Sequence, residues 1–263
     1  VTVGTPLHHL RRAAIRTLQA TGLNGFASNV YYRHFHGFRS ASPGLDDGFA
    51  TIFAEAARRG SLAKADYVEF GVFKGYSFWL AQKLAAEHGF FPRCFGFDSF
   101  EGLPEVRGVD RTAHGEFRKG QYACSLDTVR RNLETAGIEW SRTHLFKGFF
   151  EQTLTEALVR QHGIRRIGVA MIDCDLYEST VTVLDWIAPL IGQGSILIMD
   201  DWNCFGGDPQ RGQRRAMREF LRSRPGLRLE SIATYGLNSE AFVVHEAVAR
   251  PRAVQARVGE AAN

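Results

Sequence analysis

The chain has 263 residues, 44% of them hydrophobic and 23% charged, an ordinary balance for a soluble globular protein and a length that suits one α/β domain with additions. Net charge is only +4, and the arginines fall in scattered pairs such as Arg11–Arg12, Arg130–Arg131, Arg165–Arg166 and Arg214–Arg215. That is not a basic stripe interleaved with aromatics, so nucleic acid is disfavoured as a partner. No apolar run reaches the length of a membrane span, and the opening VTVGTPLHHLRRAAIRTLQA lacks a signal peptide's apolar stretch; the expectation is a cytoplasmic protein with no membrane partner. Cys94, Cys124, Cys174 and Cys204 form no CxxC pair, which argues for free thiols over a zinc site or a disulfide framework.

In chain order, residues 5–20 read as an amphipathic helix. NGFASNVYYRHFHGF follows, dense in aromatics and His. Residues 1–45 are thus predicted to be a helical, aromatic extension that acts as a lid or an oligomer contact. Asp46 and Asp47 open a helix that ends at Gly60. From there strand and helix alternate, as in a doubly wound sheet. ADYVEFGV is the first strand, YSFWLAQKLAAEH a helix and RCFGFDSF the second strand. The insertion GLPEVRGVDRTAHGEFRKGQYA is too polar and Gly-rich for a core element. Ser125 caps the next helix, THLFKG is the third strand, and a helix is predicted around 153–162. RIGVAMID and SILIMDD are strands four and five, joined by YESTVTVLDWIAPLI. Asp208-Pro209 reads as a capped helix start with Pro at the first helical position. LRLESIA and EAFVVHE suggest an antiparallel edge hairpin, and residues 247–263 a mobile tail.

The informative acids stand at strand ends. Asp173 and Asp175 follow the fourth strand, Asp200 and Asp201 the fifth. Ligands of open α/β sheets bind in the crevice beyond the carboxyl ends of the strands. Carboxylates crowded there repel unless protonated or neutralised, and a hard divalent ion such as Mg²⁺ takes such ligands. Any one of these acids is better explained as a helix cap; two pairs at equivalent ends are not.

The first strand ends in Glu69-Phe-Gly71-Val-Phe-Lys-Gly75. Its glycines allow a tight turn and close approach to a ligand, without matching the GxGxxG dinucleotide fingerprint. An acid in that loop suits a ligand that carries an ammonium and a sulfonium, namely S-adenosylmethionine. Asp98, 29 residues after Glu69 at the end of the second strand, is placed to grip ribose hydroxyls. Gly148 and Phe149, after the third strand, are read as framing the adenine.

YVEFGVFKGYS, GFDSFEGLPE, SLDTVRRNL, FKGFFEQTL, MIDCDLYESTVTVL and ILIMDDW occur in that order. Together they resemble the macrocin O-methyltransferase family, over roughly residues 46–246. The resemblance implies a class I methyltransferase (Rossmann-like) fold, a seven-stranded mostly parallel sheet with helices on both faces. It also implies S-adenosylmethionine as donor, dependence on Mg²⁺, and a sugar or glycoside hydroxyl as acceptor. Motif by motif, it makes Asp173, Asp200 and Asp201 the metal ligands and Asp175 the general base, with Glu69, Gly71 and Asp98 on the cofactor. Family habit adds a homo-oligomer. Cys174 stands where Gly is usual and Phe70 where a smaller residue is usual, so a side chain at 174 is expected to narrow the acceptor side.

The rival acceptor is a catechol-like phenol, for which the same metal logic works. Tyr31, Phe35, Phe38 and Trp202 suit the wall of either pocket or plain packing. His34 and His36 are read as partly solvated, and Asn203 as a metal ligand in place of Asp201 if the register is off by two.

Overall fold

A computed structural model describes residues 37–39, 42–111 and 117–246. The predicted helix at 5–20, the residues Tyr31, His34, Phe35 and His36, and the tail 247–263 lie outside the described residues.

Helix α1 (Leu45–Arg59) carries Asp46 and Asp47 in its first turn and Arg58 and Arg59 in its last, the charge order that complements the helix dipole. Gly60 closes it in a left-handed conformation. Then follow β1 (Asp66–Phe70), α2 (Tyr76–Glu87) and β2 (Cys94–Asp98). Beyond the insertion come α3 (Leu126–Thr135) and β3 (Thr143–Lys147). The helix predicted around 153–162 is two pieces, α4 (Phe150–Thr153) and α5 (Glu156–His162), because the Thr155 side chain starts a fresh helix by accepting from the Leu158 amide. The chain continues through β4 (Ile167–Ile172), α6 (Tyr177–Ile187), β5 (Ile196–Met199), α7 (Gly212–Ser223), β6 (Leu227–Tyr235) and β7 (Ser239–Glu246).

The seven strands form one sheet in the order β3-β2-β1-β4-β5-β7-β6. β1 to β5 pair in parallel and β7 is antiparallel to β5 and β6, so the fold is the expected mostly parallel one. The chain runs outward from β1 to β3 and then returns to β4 on the other side of β1, which puts the topological switch point between β1 and β4. Every residue of β1, β4 and β5 is buried, which explains their unbroken apolar spelling.

Alternate side chains of these strands feed two cores. Tyr67, Val169 and Ile198 pack with Phe53 of α1, Phe78 of α2 and Leu133 of α3. Val68, Phe70, Ala170 and Leu197 pack with Val183 of α6 and Phe220 of α7. The bulk of Phe70 stacks on Phe97 at 5.5 Å and meets Trp186 edge-on at 5.9 Å, in the core and away from the loop that follows it. Among the described residues, no helix is long and apolar enough to cross a membrane.

Two expectations change. The insertion is closed at its neck by bonds between Leu103 and both Gly120 and Gln121, and it buries Asp110 and Phe117. It is therefore partly a core element. Asp208 does not cap a helix: its Oδ1 accepts from the Gln210 amide at 2.8 Å, a local turn, and α7 begins only at Gly212.

Candidate active site

All four strand-end aspartates meet beyond β4 and β5. Asp173 leaves β4 with its amide on the Phe70 carbonyl at 2.9 Å, and Asp200 leaves β5 with its amide on the Ile172 carbonyl at 3.1 Å. These continuations of the sheet ladder aim both acids into the crevice. Oxygens of Asp173, Asp175 and Asp201 lie within 4.8 Å of one another. Asp200 stands beside that group but is held differently: its Oδ1 accepts from the Tyr235 hydroxyl at 2.6 Å and the Ser239 hydroxyl at 2.8 Å. The sequence set Asp175 apart from the other three; the structure gathers all four and puts Asp175 in the tightest group.

Gln213, a buried residue of α7, fixes the frame. Its Nε2 donates to the Ile172 carbonyl at 2.8 Å and its Oε1 accepts from the Asp201 amide at 3.1 Å. Asp201 in turn accepts from the Asp175 amide at 2.8 Å.

Burial drives the electrostatics. It pushes Asp201 up to about 7, with Asp200 adding repulsion. Burial and then the neighbouring carboxylates hold Asp173 and Asp175 well above the usual carboxylate range. Asp200 is also raised by burial, against the pull of its two hydroxyl donors. The donor set is carboxylate oxygen throughout, the chemistry a hard divalent cation selects. Such a cation would relieve the repulsion. The residues present therefore fit Mg²⁺.

The loop after β1 lies against this cluster. Gly71 has φ +91°, and a Cβ there would stand 1.7 Å from the Asp173 carbonyl oxygen, so only glycine lets the loop pass. Gly75, also at φ +91°, opens α2 beneath Leu133. Asp98 ties the loop down: Oδ2 accepts from the Val72 and Phe73 amides, both at 2.8 Å, and Oδ1 from the Phe100 amide at 2.6 Å. Burial raises Asp98 and these amide bonds lower it. Glu69 is wholly buried, with Oε2 accepting from the Tyr67 hydroxyl and Oε1 from the Ser77 hydroxyl at 2.7 Å. Desolvation pushes it up to about 8. The Gly148 amide donates to the Asp98 carbonyl at 3.0 Å, which brings the Gly148-Phe149 turn to the same crevice. A glycine-lined cradle edged by Asp98 suits a nucleoside with a cationic tail.

Backbone strain marks the same end of the sheet. Among the described residues, the non-glycine positions with positive φ are Lys64, Phe73, Phe100, Tyr122, Asp175 and Phe205. All but Lys64 lie in loops at the carboxyl ends of the strands, and strain of this kind persists where surroundings over-determine it, commonly at functional sites.

Other expectations fall differently. Cys174 is buried with Sγ 3.5 Å from the Thr180 hydroxyl, so it faces the core and does not narrow the crevice. Asn203 is held by Arg214 at 2.5 Å, and Trp202 packs on Phe242 under the same guanidinium. Neither stands among the grouped acids. Phe38 packs on Tyr76 at 5.5 Å, over the first turn of α2.

The sequence reading missed Asp110, Gln213, Tyr235 and Ser239. Asp110, in a short 3₁₀ turn of the insertion, accepts from the Tyr177 amide at 2.5 Å and the Gly212 amide at 3.0 Å. A lone acid in a polar insertion gives no local signal of this.

Residues 54–227 match the profile of the family described as Macrocin-O-methyltransferase (TylF). The chain is 34% identical over 142 residues to an 8-demethyl-8-(2,3-dimethoxy-alpha-L-rhamnosyl)-tetracenomycin-C 4'-O-methyltransferase of Streptomyces olivaceus, covering 52% of each chain. It is 28% identical over 144 residues to a mycinamicin III 3''-O-methyltransferase of Micromonospora griseorubida, covering 52% of this chain and 55% of that one. The chain thus spans about half the length of the curated relatives it matches. In architecture it is similar to the calicheamicin methyltransferase CalS11, with TM-score 0.61 at 21% identity over 92% of this chain and 94% of that one.

Proposed function

The chain belongs to the macrocin O-methyltransferase family, and from that premise we propose that it moves a methyl group from S-adenosylmethionine to a sugar hydroxyl of a glycosylated natural product, with a Mg²⁺ ion held by Asp173, Asp200 and Asp201. The observation that carries this reading is the contact between the two halves of the crevice. The glycine turn proposed for the donor passes the carbonyl of Asp173 so closely that no side chain fits between them. A methyl donor in that turn and an acceptor on the acid cluster would be neighbours, which supplies the proximity such a transfer needs. The acceptors named for the relatives, a rhamnosyl-bearing tetracenomycin and mycinamicin III, support a sugar over a phenol.

S-adenosylmethionine supplies a methyl on a sulfonium, whose C–S bond breaks as the new C–O bond forms. A divalent cation held by Asp173, Asp200 and Asp201 would supply Lewis acidity to the acceptor hydroxyl. The remaining work belongs to this chain. Asp175, whose oxygen lies within 4.8 Å of those of Asp173 and Asp201, is the carboxylate placed to take the hydroxyl proton. Asp98 keeps the donor turn in shape through the Val72 and Phe73 amides. Glu69, sealed beneath the turn by the Tyr67 and Ser77 hydroxyls, supports the donor site from below and not by contact.

The test is a methyl-transfer assay on rhamnosyl glycosides, read by mass spectrometry with Mg²⁺ and with EDTA. Full turnover in EDTA removes the cation from the reading. Transfer to catechols but to no sugar moves the acceptor to the phenols.

A further inference from the structure

Asp110 is 3% exposed although it belongs to a polar insertion. Its two oxygens go to two different helices: Oδ2 accepts from the Tyr177 amide at the start of α6, and Oδ1 from the Gly212 amide at the start of α7. Both helix starts present unpaired amides and the positive end of a dipole. One carboxylate therefore answers both ends, beside a second link further along the helices in which the Tyr177 hydroxyl bonds Glu219 at 2.6 Å.

Those two helix starts carry the acid cluster. Tyr177 is separated from Asp175 by Leu176 alone, and Asp175 sits at φ +59°, in the left-handed region that aspartate tolerates better than most residues. Gly212 is followed by Gln213, whose side chain bonds both the Asp201 amide and the Ile172 carbonyl. Moving α7 against α6 would move Gln213, and with it Asp201, against Asp175.

We infer that Asp110 is a positioning residue for the carboxylate cluster, a clamp that holds the Asp175 turn and the Asp201 turn in register. The inference rests on the proposed function for what the cluster binds and does. A residue that merely capped two helices would affect stability alone. A clamp must also affect cation binding and turnover, while leaving the donor turn untouched.

The experiment uses the full chain and Asp110→Asn, which keeps the shape and removes one accepting oxygen. Thr155→Ala, which removes the cap of α5 away from the cluster, serves as the stability control. Mn²⁺ binding and S-adenosylhomocysteine binding are measured by calorimetry, alongside Tm and kcat. For Asp110→Asn, Mn²⁺ affinity is expected to fall on the order of 10-fold, as for other residues that orient ligands without touching the metal. kcat should fall with it while S-adenosylhomocysteine binds as before. Thr155→Ala should lower Tm and leave both binding constants alone.

If Asp110→Asn does not fold, Tyr177→Pro deletes the same bond from the donor side, at a first helical position where proline is tolerated. Because it also removes the hydroxyl bond to Glu219, it is compared with Tyr177→Ala, which keeps the amide, and the proline variant is expected to bind Mn²⁺ on the order of 10-fold more weakly than the alanine one. Wild-type Mn²⁺ affinity and kcat in a folded variant overturn the clamp. A wild-type protein that binds no Mn²⁺ and transfers no methyl overturns the proposed function itself, an outcome visible before any variant is made.

Discussion

The backbone amide of Asp175 donates to Oδ2 of Asp201 at 2.8 Å, so one acid of the cluster holds the turn that presents another. The Asp175 carboxyl bonds that of Asp201 as well, but the amide bond that holds the turn does not depend on the side chain. Asp175→Asn keeps that amide but removes one carboxylate of the tightest oxygen group. kcat should therefore fall by about 10²–10⁴-fold, the usual worth of a general base, with S-adenosylhomocysteine binding little changed and Mn²⁺ binding weakened less than by Asp173→Asn or Asp201→Asn. Single-turnover kinetics and calorimetry on the same preparation check this. An unchanged rate would move the base to another group or to water.

Asp200 offers a second handle through Tyr235, whose hydroxyl reaches Oδ1 at 2.6 Å from the end of β6. Ser239 bonds the same oxygen, so Tyr235→Phe leaves one of the two donors in place. Orienting partners of this kind are worth about 10- to 100-fold in metal affinity, and the lower end is expected here. A Mn²⁺ titration that matches wild type would argue that Asp200 is not a metal ligand.

How far the sequence reached follows from the range of each interaction. β1, β4 and β5 were legible because a parallel strand buried on both faces must be apolar throughout, and their terminal acids stood out against that background. The hairpin of β6 and β7 was legible too, although its role in holding Asp200 was not, since Tyr235 lies 35 residues from the acid it serves. Asp208-Pro209 spells a helix start, yet Asp208 spends its carboxylate on Gln210. The helix is capped instead by Asp110, 102 residues away from Gly212. Local propensity is written in neighbouring residues; a cap supplied across the fold is not. Glu69 illustrates the same limit. It was expected inside the glycine loop but belongs to β1, and the Tyr67 and Ser77 hydroxyls that occupy it depend on strand and helix packing.

The buried acids also set a pH dependence. Glu69 rises from 4.5 to about 8 and Asp201 from 3.8 to about 7, each chiefly through burial. Below those ordinary values both states are protonated. As pH climbs, the unfolded chain gives up its protons first, so stability is lost progressively across 4.5 to 8 for Glu69 and 3.8 to 7 for Asp201. In EDTA the Tm should fall between pH 6 and pH 8. Mg²⁺ favours the charged carboxylates and should offset the fall, with a gain that grows as pH rises. Scanning calorimetry at several pH values tests both parts, and a Mg²⁺ gain that is flat with pH would separate the cation from these acids.

Gly71 supports the sharpest test of how the two halves of the crevice meet. Its φ of +91° alone costs a non-glycine residue about 1–2 kcal/mol. Alanine would add a collision, because its Cβ would stand 1.7 Å from the Asp173 carbonyl oxygen, and backbone rather than a flexible side chain must yield. Gly89 makes a matched control: φ is +78° and nothing lies within 4 Å of the position its Cβ would take. Gly89→Ala should lose only the backbone cost, whereas Gly71→Ala should lose roughly 3 kcal/mol or more, the range reached when strain and overpacking combine. Relief can come only by pushing the donor turn and Asp173 apart, so the folded fraction of Gly71→Ala should bind both S-adenosylhomocysteine and Mn²⁺ more weakly. Tyr235→Phe, by contrast, should weaken the metal alone. Urea unfolding and calorimetry of the two glycine variants decide it; equal stability for the pair would mean that the donor turn and the acid cluster do not share this contact.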